Sequence, residues 1–101
     1  MNAYTSLKSL LEREDSAIRE YNRLVDNYTV IMKDIEDRKD EYERLGYGDR
    51  FVKEQTEYAQ KFLGQIPGAE KAVLDARKSI QEYFLGLSDQ DDKRGVQDAD
   101  R

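Results

Sequence analysis

The chain has 101 residues, of which 39% are charged and 38% hydrophobic, so it can form one domain with a modest core. One proline, six glycines and no cysteine or histidine favour long, solvent-bathed helices over a sandwich or barrel. The formal net charge of −5 combines 22 acidic with 17 basic residues, a mixture unlike the basic surface of a nucleic-acid-binding protein. We therefore expect no direct nucleic-acid partner.

Missing residue types exclude several kinds of chemistry. Without histidine or cysteine, the chain cannot form a Ser-His-Asp or Cys-His triad, or a zinc site with nitrogen or sulfur ligands. The longest apolar runs are three residues long, for example Val30–Met32 and Tyr83–Leu85, whereas a membrane-spanning helix needs about 20 residues. We expect a soluble, cytoplasmic protein that is not an enzyme and has no cofactor, metal, membrane or small-molecule partner.

The first predicted element is a helix over about residues 5–45, in which apolar residues recur in three heptad columns. The a column holds Leu11, Ile18, Val25 and Met32. The d column holds Leu7, Tyr21, Tyr28, Ile35 and Tyr42, and the g column holds Leu10, Ala17, Leu24, Ile31 and Leu45. Because three columns are wider than a two-stranded seam requires, we expect this helix to contact more than one neighbouring helix.

Two charged residues interrupt these columns, Glu14 in the d column and Lys39 in the a column. Either they lie where helix ends meet water, or they set the register by pairing with a charged partner. Across an antiparallel partner the two residues could pair with each other.

A turn over residues 46–49 follows, with Gly46 as the left-handed residue that ends the first helix and Asp49 as the N-cap of the next. We predict two further helices, at about 50–63 and 67–85. Glycine commonly ends helices, and Pro67, which lacks an amide hydrogen, suits a first helical turn. The sequence thus predicts an all-α fold in which a long N-terminal helix packs antiparallel against a broken return arm of two shorter helices, with coiled-coil-like packing. This plan is a helical hairpin or three-helix bundle.

Residues 1–87 form the predicted helical domain, and residues 88–101 are expected to be a disordered acidic tail because they offer few apolar side chains. The segment Gly64–Gly68 matches neither a P-loop nor a dinucleotide-binding turn, so we interpret it as a helix break. Within the tail, a segment that begins at Asp89 partly resembles an EF-hand calcium loop. It has Arg94 at the sixth position, where that loop requires glycine, and Asp100 at the twelfth, where it requires glutamate.

The leading interpretation is a non-enzymatic helical protein–protein interaction module: an adaptor, an assembly or scaffold factor, or a small inhibitor. It would act as a homodimer or small bundle, or as one half of a hetero-complex. Tyrosines of the d column suit either an internal core or a binding strip, because each ring needs a polar neighbour for its hydroxyl. The predicted interface consists of Leu11, Ile18, Tyr21, Leu24, Val25, Tyr28, Ile31, Met32, Ile35 and Tyr42.

A second hypothesis comes from a family resemblance. In length, acidity, lack of cysteine and helix-turn-helix plan, the chain resembles the small WXG100-type proteins of type VII secretion. The resemblance implies an export substrate or targeting partner. It covers architecture only, because residues 45–48 read Leu-Gly-Tyr-Gly in place of the Trp-x-Gly turn of the family, and no Tyr-x-x-x-Asp/Glu occurs near the C-terminus.

A third hypothesis is an acidic, nucleic-acid-mimicking inhibitor of the phage type. It rests on the acidic cluster Glu36, Asp37, Asp40, Glu41 and Glu43. Basic residues lie among these acids and dilute the negative field, namely Arg38, Lys39 and Arg44.

Overall fold

A computed structural model of the protein describes the backbone of residues 3–99 and the side chains of residues 6–87. In this part of the chain two α-helices, α1 at Ala3–Arg44 and α2 at Gly48–Ala99, pack against each other as an antiparallel hairpin without any strand. The molecule measures 85 × 18 × 16 Å, a cross-section set by two helices of about 10 Å diameter each. The predicted all-α hairpin with a long N-terminal helix is confirmed.

The core is a single line of contact between the helices. On α1 the buried side chains are Leu24, Ile31 and Ile35; on α2 they are Ala59, Val73 and Ala76. Large side chains of α1 therefore meet small ones of α2, which lets the two helices approach closely. Ile31, Ile35 and Ala59 form one buried cluster. Partly buried apolar side chains pack around this cluster, namely Tyr28, Val52 and Phe62.

The end of α1 is a Schellman motif. Gly46 has a φ of 87°, the left-handed conformation that glycine adopts without steric cost. Its amide donates to the Glu43 carbonyl at 3.0 Å, and the Tyr47 amide donates to the Tyr42 carbonyl at 2.8 Å. These are the two bonds that satisfy the last carbonyls of a helix in this motif. The predicted role of Gly46 is confirmed.

The start of α2 lies two residues earlier than predicted. The helix begins at Gly48, and the Phe51 amide donates to the Tyr47 carbonyl at 2.9 Å, so Asp49 lies in the first turn and is not the N-cap. There its carboxylate faces the positive end of the helix dipole. Across the turn the rings of Tyr42 and Phe51 stack with centroids 4.2 Å apart.

The predicted break in the return arm is wrong: α2 is one helix that continues through Pro67. Gly64, Pro67 and Gly68 are all exposed on its solvent side. On the side that faces α1, residues spaced three or four apart are at least partly buried through the whole segment. These residues are Phe62, Ile66, Ala69 and Val73. Burial of this row keeps the backbone helical although proline cannot donate to the Leu63 carbonyl. The return arm therefore does not consist of separate helices at 50–63 and 67–85.

The backbone of α2 is helical as far as Ala99, whereas the sequence predicts a disordered tail over residues 88–101. Side chains 88–101 lie outside the described residues. The domain boundary after residue 87 stays a prediction.

Truncating the core should destabilise the hairpin. Leu24→Ala removes a side chain that is only 2% exposed, and we expect a loss of about 2–5 kcal/mol in the free energy of unfolding. Leu85→Ala makes the same chemical change at a position that is 57% exposed, and should cost at most about 0.5 kcal/mol. Urea unfolding followed by circular dichroism measures both, and equal losses would contradict this packing.

A second substitution tests the continuity of α2. Pro67→Ala should raise the free energy of unfolding by about 1–3 kcal/mol, because alanine supplies the missing amide inside the helix. Gly68→Ala is the matched control: a Cβ there meets no atom within 4 Å, so the expected gain is about 0.5–1 kcal/mol. If Pro67 instead started a new helix, its replacement would be neutral or destabilising in the same urea titration.

Candidate protein-binding face

The d and g columns of α1 face α2. Leu24, Ile31 and Ile35 are buried there, and the tyrosines at 21, 28 and 42 are half-buried along the same contact line. The d-column tyrosines therefore belong to the seam of the hairpin itself. Six of the ten predicted interface residues are therefore buried or half-buried along the contact between α1 and α2. They are Tyr21, Leu24, Tyr28, Ile31, Ile35 and Tyr42.

The a column of α1 lies outside this seam. Leu11 is 46% exposed and Met32 37% exposed, while Ile18 and Val25 between them are half-buried. We call these four residues the apolar face. Their heptad spacing places them in one row along α1, about 90° around the helix from the centre of the seam.

A groove runs between the apolar face and α2. Near the middle of the hairpin its walls are Ile18, Tyr21 and Asn22 on α1 and Glu70, Val73, Leu74 and Arg77 on α2. Leu74 is 56% exposed on the rim of this groove. Phe84 follows Arg77 by one heptad, so it lies on the same side of α2, and half of its surface is exposed. Apolar side chains of both helices thus border one side of the hairpin.

Two shallow depressions mark the ends of the apolar face. The first surrounds Leu11 and is bordered by Lys8, Glu12 and Asp15. The second surrounds Met32, with Lys33, Glu36 and Lys39 at its border. Each depression combines an apolar floor with charges of both signs.

The other flank of α1 is polar. It carries the heptad column Arg13, Glu20, Asn27, Asp34 and Glu41. Next to it, Arg23 donates from Nη2 and Nε to the Glu20 carboxylate at 2.6 and 3.0 Å. This bond from Arg23 holds the pKa of the Glu20 carboxyl below its ordinary value. The two sides of the hairpin therefore differ in chemistry, and one of them is suited to apolar contact.

Among the described side chains, one ion pair joins the two helices: Arg77 Nε lies 3.4 Å from Glu14 Oε2. Other ion pairs among the described side chains join residues three or four apart on one helix. One interpretation of Glu14 predicted that it pairs with a charged residue across the hairpin. It does so, and its partner is Arg77 rather than Lys39. Lys39 is exposed and borders the Met32 depression. The heptad pattern could not name Arg77, because the residue opposite Glu14 depends on how α2 is aligned.

The described residues carry neither a metal-binding cluster nor a membrane-spanning segment. No group of three or more acidic side chains among them is arranged to hold a metal ion. Neither described helix has a stretch that is long and apolar enough to cross a membrane.

A double-mutant cycle measures the Glu14–Arg77 pair. Glu14→Gln, Arg77→Gln and the combined variant should show a coupling of about 0.5–1 kcal/mol in the free energy of unfolding at low salt. The coupling should decrease as salt screens the charges. Asp15–Arg19, a pair within α1 at 2.9 Å, provides the reference cycle, with about 0.3–0.5 kcal/mol expected. No measurable coupling at low salt would contradict the alignment of α1 on α2.

No protein-family model, curated protein or solved structure matches this chain. The chemistry of the apolar face is therefore the basis for inferring a function.

Proposed function

We propose that this chain is a non-enzymatic helical interaction module that binds protein through the apolar face Leu11, Ile18, Val25 and Met32. One observation carries the proposal: this heptad column is left outside the seam of the hairpin. Isolated exposed apolar residues are common on protein surfaces. Here four apolar residues form one row that is exposed at Leu11 and Met32 and half-buried at Ile18 and Val25, and an apolar row bordered by charges is typical of a protein-binding surface.

The dimensions of the face suit a helical partner. From Leu11 to Met32 it spans three heptads, about 32 Å at a rise of 1.5 Å per residue. A partner helix lying along the groove would meet an apolar side chain at every second turn, the spacing at which amphipathic helices are recognised. Leu74 and Phe84 on α2 widen the face and add apolar area at its rim. Such contacts would extend the two-helix seam into a larger coiled-coil-like bundle.

This role fits an adaptor, an assembly or scaffold factor, or a small inhibitor acting in the cytoplasm. The narrow core supports it, because two helices alone enclose no cleft in which paired carboxylates could acquire different pKa values. Of the predicted interface residues, the four of the a column would contact the partner. Leu74 and Phe84 of α2 are added to them.

Export as a WXG100-type substrate is a second candidate. The observation that favours it is the helix-turn-helix plan, two long helices joined by the turn at residues 45–47. Detection of the chain in the medium of intact producing cells would support it, and retention of all the protein inside the cells would contradict it.

Site-specific photo-cross-linking in the producing cells tests the proposed function. A photoreactive residue at Leu11 or Met32 should attach the chain to another protein molecule. Val30 is the matched control position: it is 66% exposed and lies outside the face, so indiscriminate contact would label it at least as strongly.

A substitution within the face should weaken the cross-link. Met32→Glu should reduce the product formed from position 11 at least tenfold, because it buries a charge in the contact. Val30→Glu should leave that product unchanged. Equal labelling of face and control positions, or no protein product at positions 11 and 32, would contradict the proposal.

A further inference from the structure

We propose that the partner on the apolar face is a second copy of this chain, with α1 packed antiparallel on α1 about a two-fold axis near Asn22. The resulting assembly is a four-helix bundle of two hairpins whose turns lie at opposite ends. The inference rests on the proposed function and specifies the occupant of the same face. A two-fold contact requires a surface that is complementary to itself.

The apolar residues satisfy this requirement. With the axis beside Asn22, Leu11 of each copy lies opposite Met32 of the other, and Ile18 lies opposite Val25. The midpoints of both pairs fall between Tyr21 and Asn22. All four residues of the face therefore meet apolar partners in a single register. Nearly the whole of α1, Ala3–Arg44, overlaps its symmetry mate in this arrangement.

The charges beside the face are complementary in the same register. In this register the Leu11 depression of one copy faces the Met32 depression of the other. Lys8 then lies opposite Glu36, and Glu12 lies opposite Lys33. Between the depressions, Arg19 lies opposite Asp26. Of these six charges, Asp26, Lys33 and Glu36 form no ion pair with any side chain that the structure describes. They are therefore available for pairing between copies.

Neighbouring registers lack this complementarity. Sliding one copy by a heptad in one direction opposes Glu12 to Asp26 and Arg19 to its own symmetry mate. Sliding it in the other direction opposes Arg19 to Lys33, and the same shift opposes Asp15 to Glu36 and Leu11 to Lys39. Like charges and a misplaced lysine disfavour both shifts. The charge pattern thus selects the register that also pairs the apolar residues.

The surface area of the single chain is consistent with self-association. Its accessible surface is 8070 Å², whereas a compact monomer of 11.8 kDa is expected to expose about 5,900 Å². Its radius of gyration is 23.5 Å, against about 13 Å for a compact domain of 100 residues. The surplus of roughly 2,000 Å² per chain is enough for a standard protein interface, which buries about 1,200–2,000 Å² in total.

The absence of cysteine from the chain allows a direct test with single-cysteine variants of the full chain. Asn22 is exposed and lies opposite its own symmetry mate, so oxidised Asn22→Cys should become a disulfide-linked dimer. Thr29→Cys, one heptad further along the same column, lies opposite Asp15 and should stay unlinked. Mixing Thr29→Cys with Asp15→Cys should yield the mixed disulfide.

A charge exchange tests the register by a second route. Arg19→Glu or Asp26→Arg alone should each weaken the dimer about tenfold, because two symmetry-related ion pairs become repulsive. The double variant should recover the affinity of the unmodified chain. Residues 19 and 26 are about 10.5 Å apart along their own helix, so recovery cannot come from pairing within one copy. Circular dichroism checks that every variant keeps its helical content.

Sedimentation equilibrium of the unmodified chain should show a mass twice that of the 11.8 kDa monomer. The inference would be overturned if the unmodified chain stayed monomeric at high micromolar concentration. Efficient linking of Thr29→Cys alone, or no recovery of affinity in the double variant, would also overturn it. These failures differ from failure of the proposed function. A monomeric chain that still cross-links from positions 11 and 32 to a different protein retains that function.

Discussion

The contact between the large side chains of α1 and the small side chains of α2 is the interaction on which the structure depends. Ala59 and Ala76 lie fully inside it, so the helix backbones can approach until Leu24, Ile31 and Ile35 are covered. Amphipathic helices in proteins derive most of their stability from tertiary packing of their apolar face, which this contact supplies. The same contact holds α2 helical across Pro67, where the local preference is for a break.

The exposure of the apolar face follows from the geometry of that contact. A helix with three apolar columns can turn only part of its stripe toward one partner. In this hairpin the d and g columns face α2, so the a column is left at the side. With two layers and no third helix among the described elements, this column is covered only in part, at Ile18 and Val25. The binding that we propose for this face would thus follow from an apolar stripe wider than its partner helix.

Charges have a different role from the apolar contacts. Pairs such as Asp15–Arg19 and Asp34–Arg38 lie on exposed helix surfaces and add little to stability. Glu14–Arg77 opposes displacement of α2 along α1, because any sliding separates the pair. In the dimer that we propose, the signs of the charges beside the apolar face would likewise select one alignment while contributing modestly to affinity. Apolar burial supplies most of the free energy, and charge supplies the register.

By itself the sequence determined the helical class, the long first helix, the position of the turn and the presence of an apolar stripe. These depend on local physics: the period of the helix, and the left-handed conformation that Gly46 adopts at low cost. The path through Pro67 was not predictable from the sequence, because the row from Phe62 to Val73 resists a break only when α1 lies against it. Only the tertiary structure decided which columns of α1 face α2 and which one lies at the side of the contact. That choice is made by the small residues that α2 presents, and they can act only once the two helices are in contact.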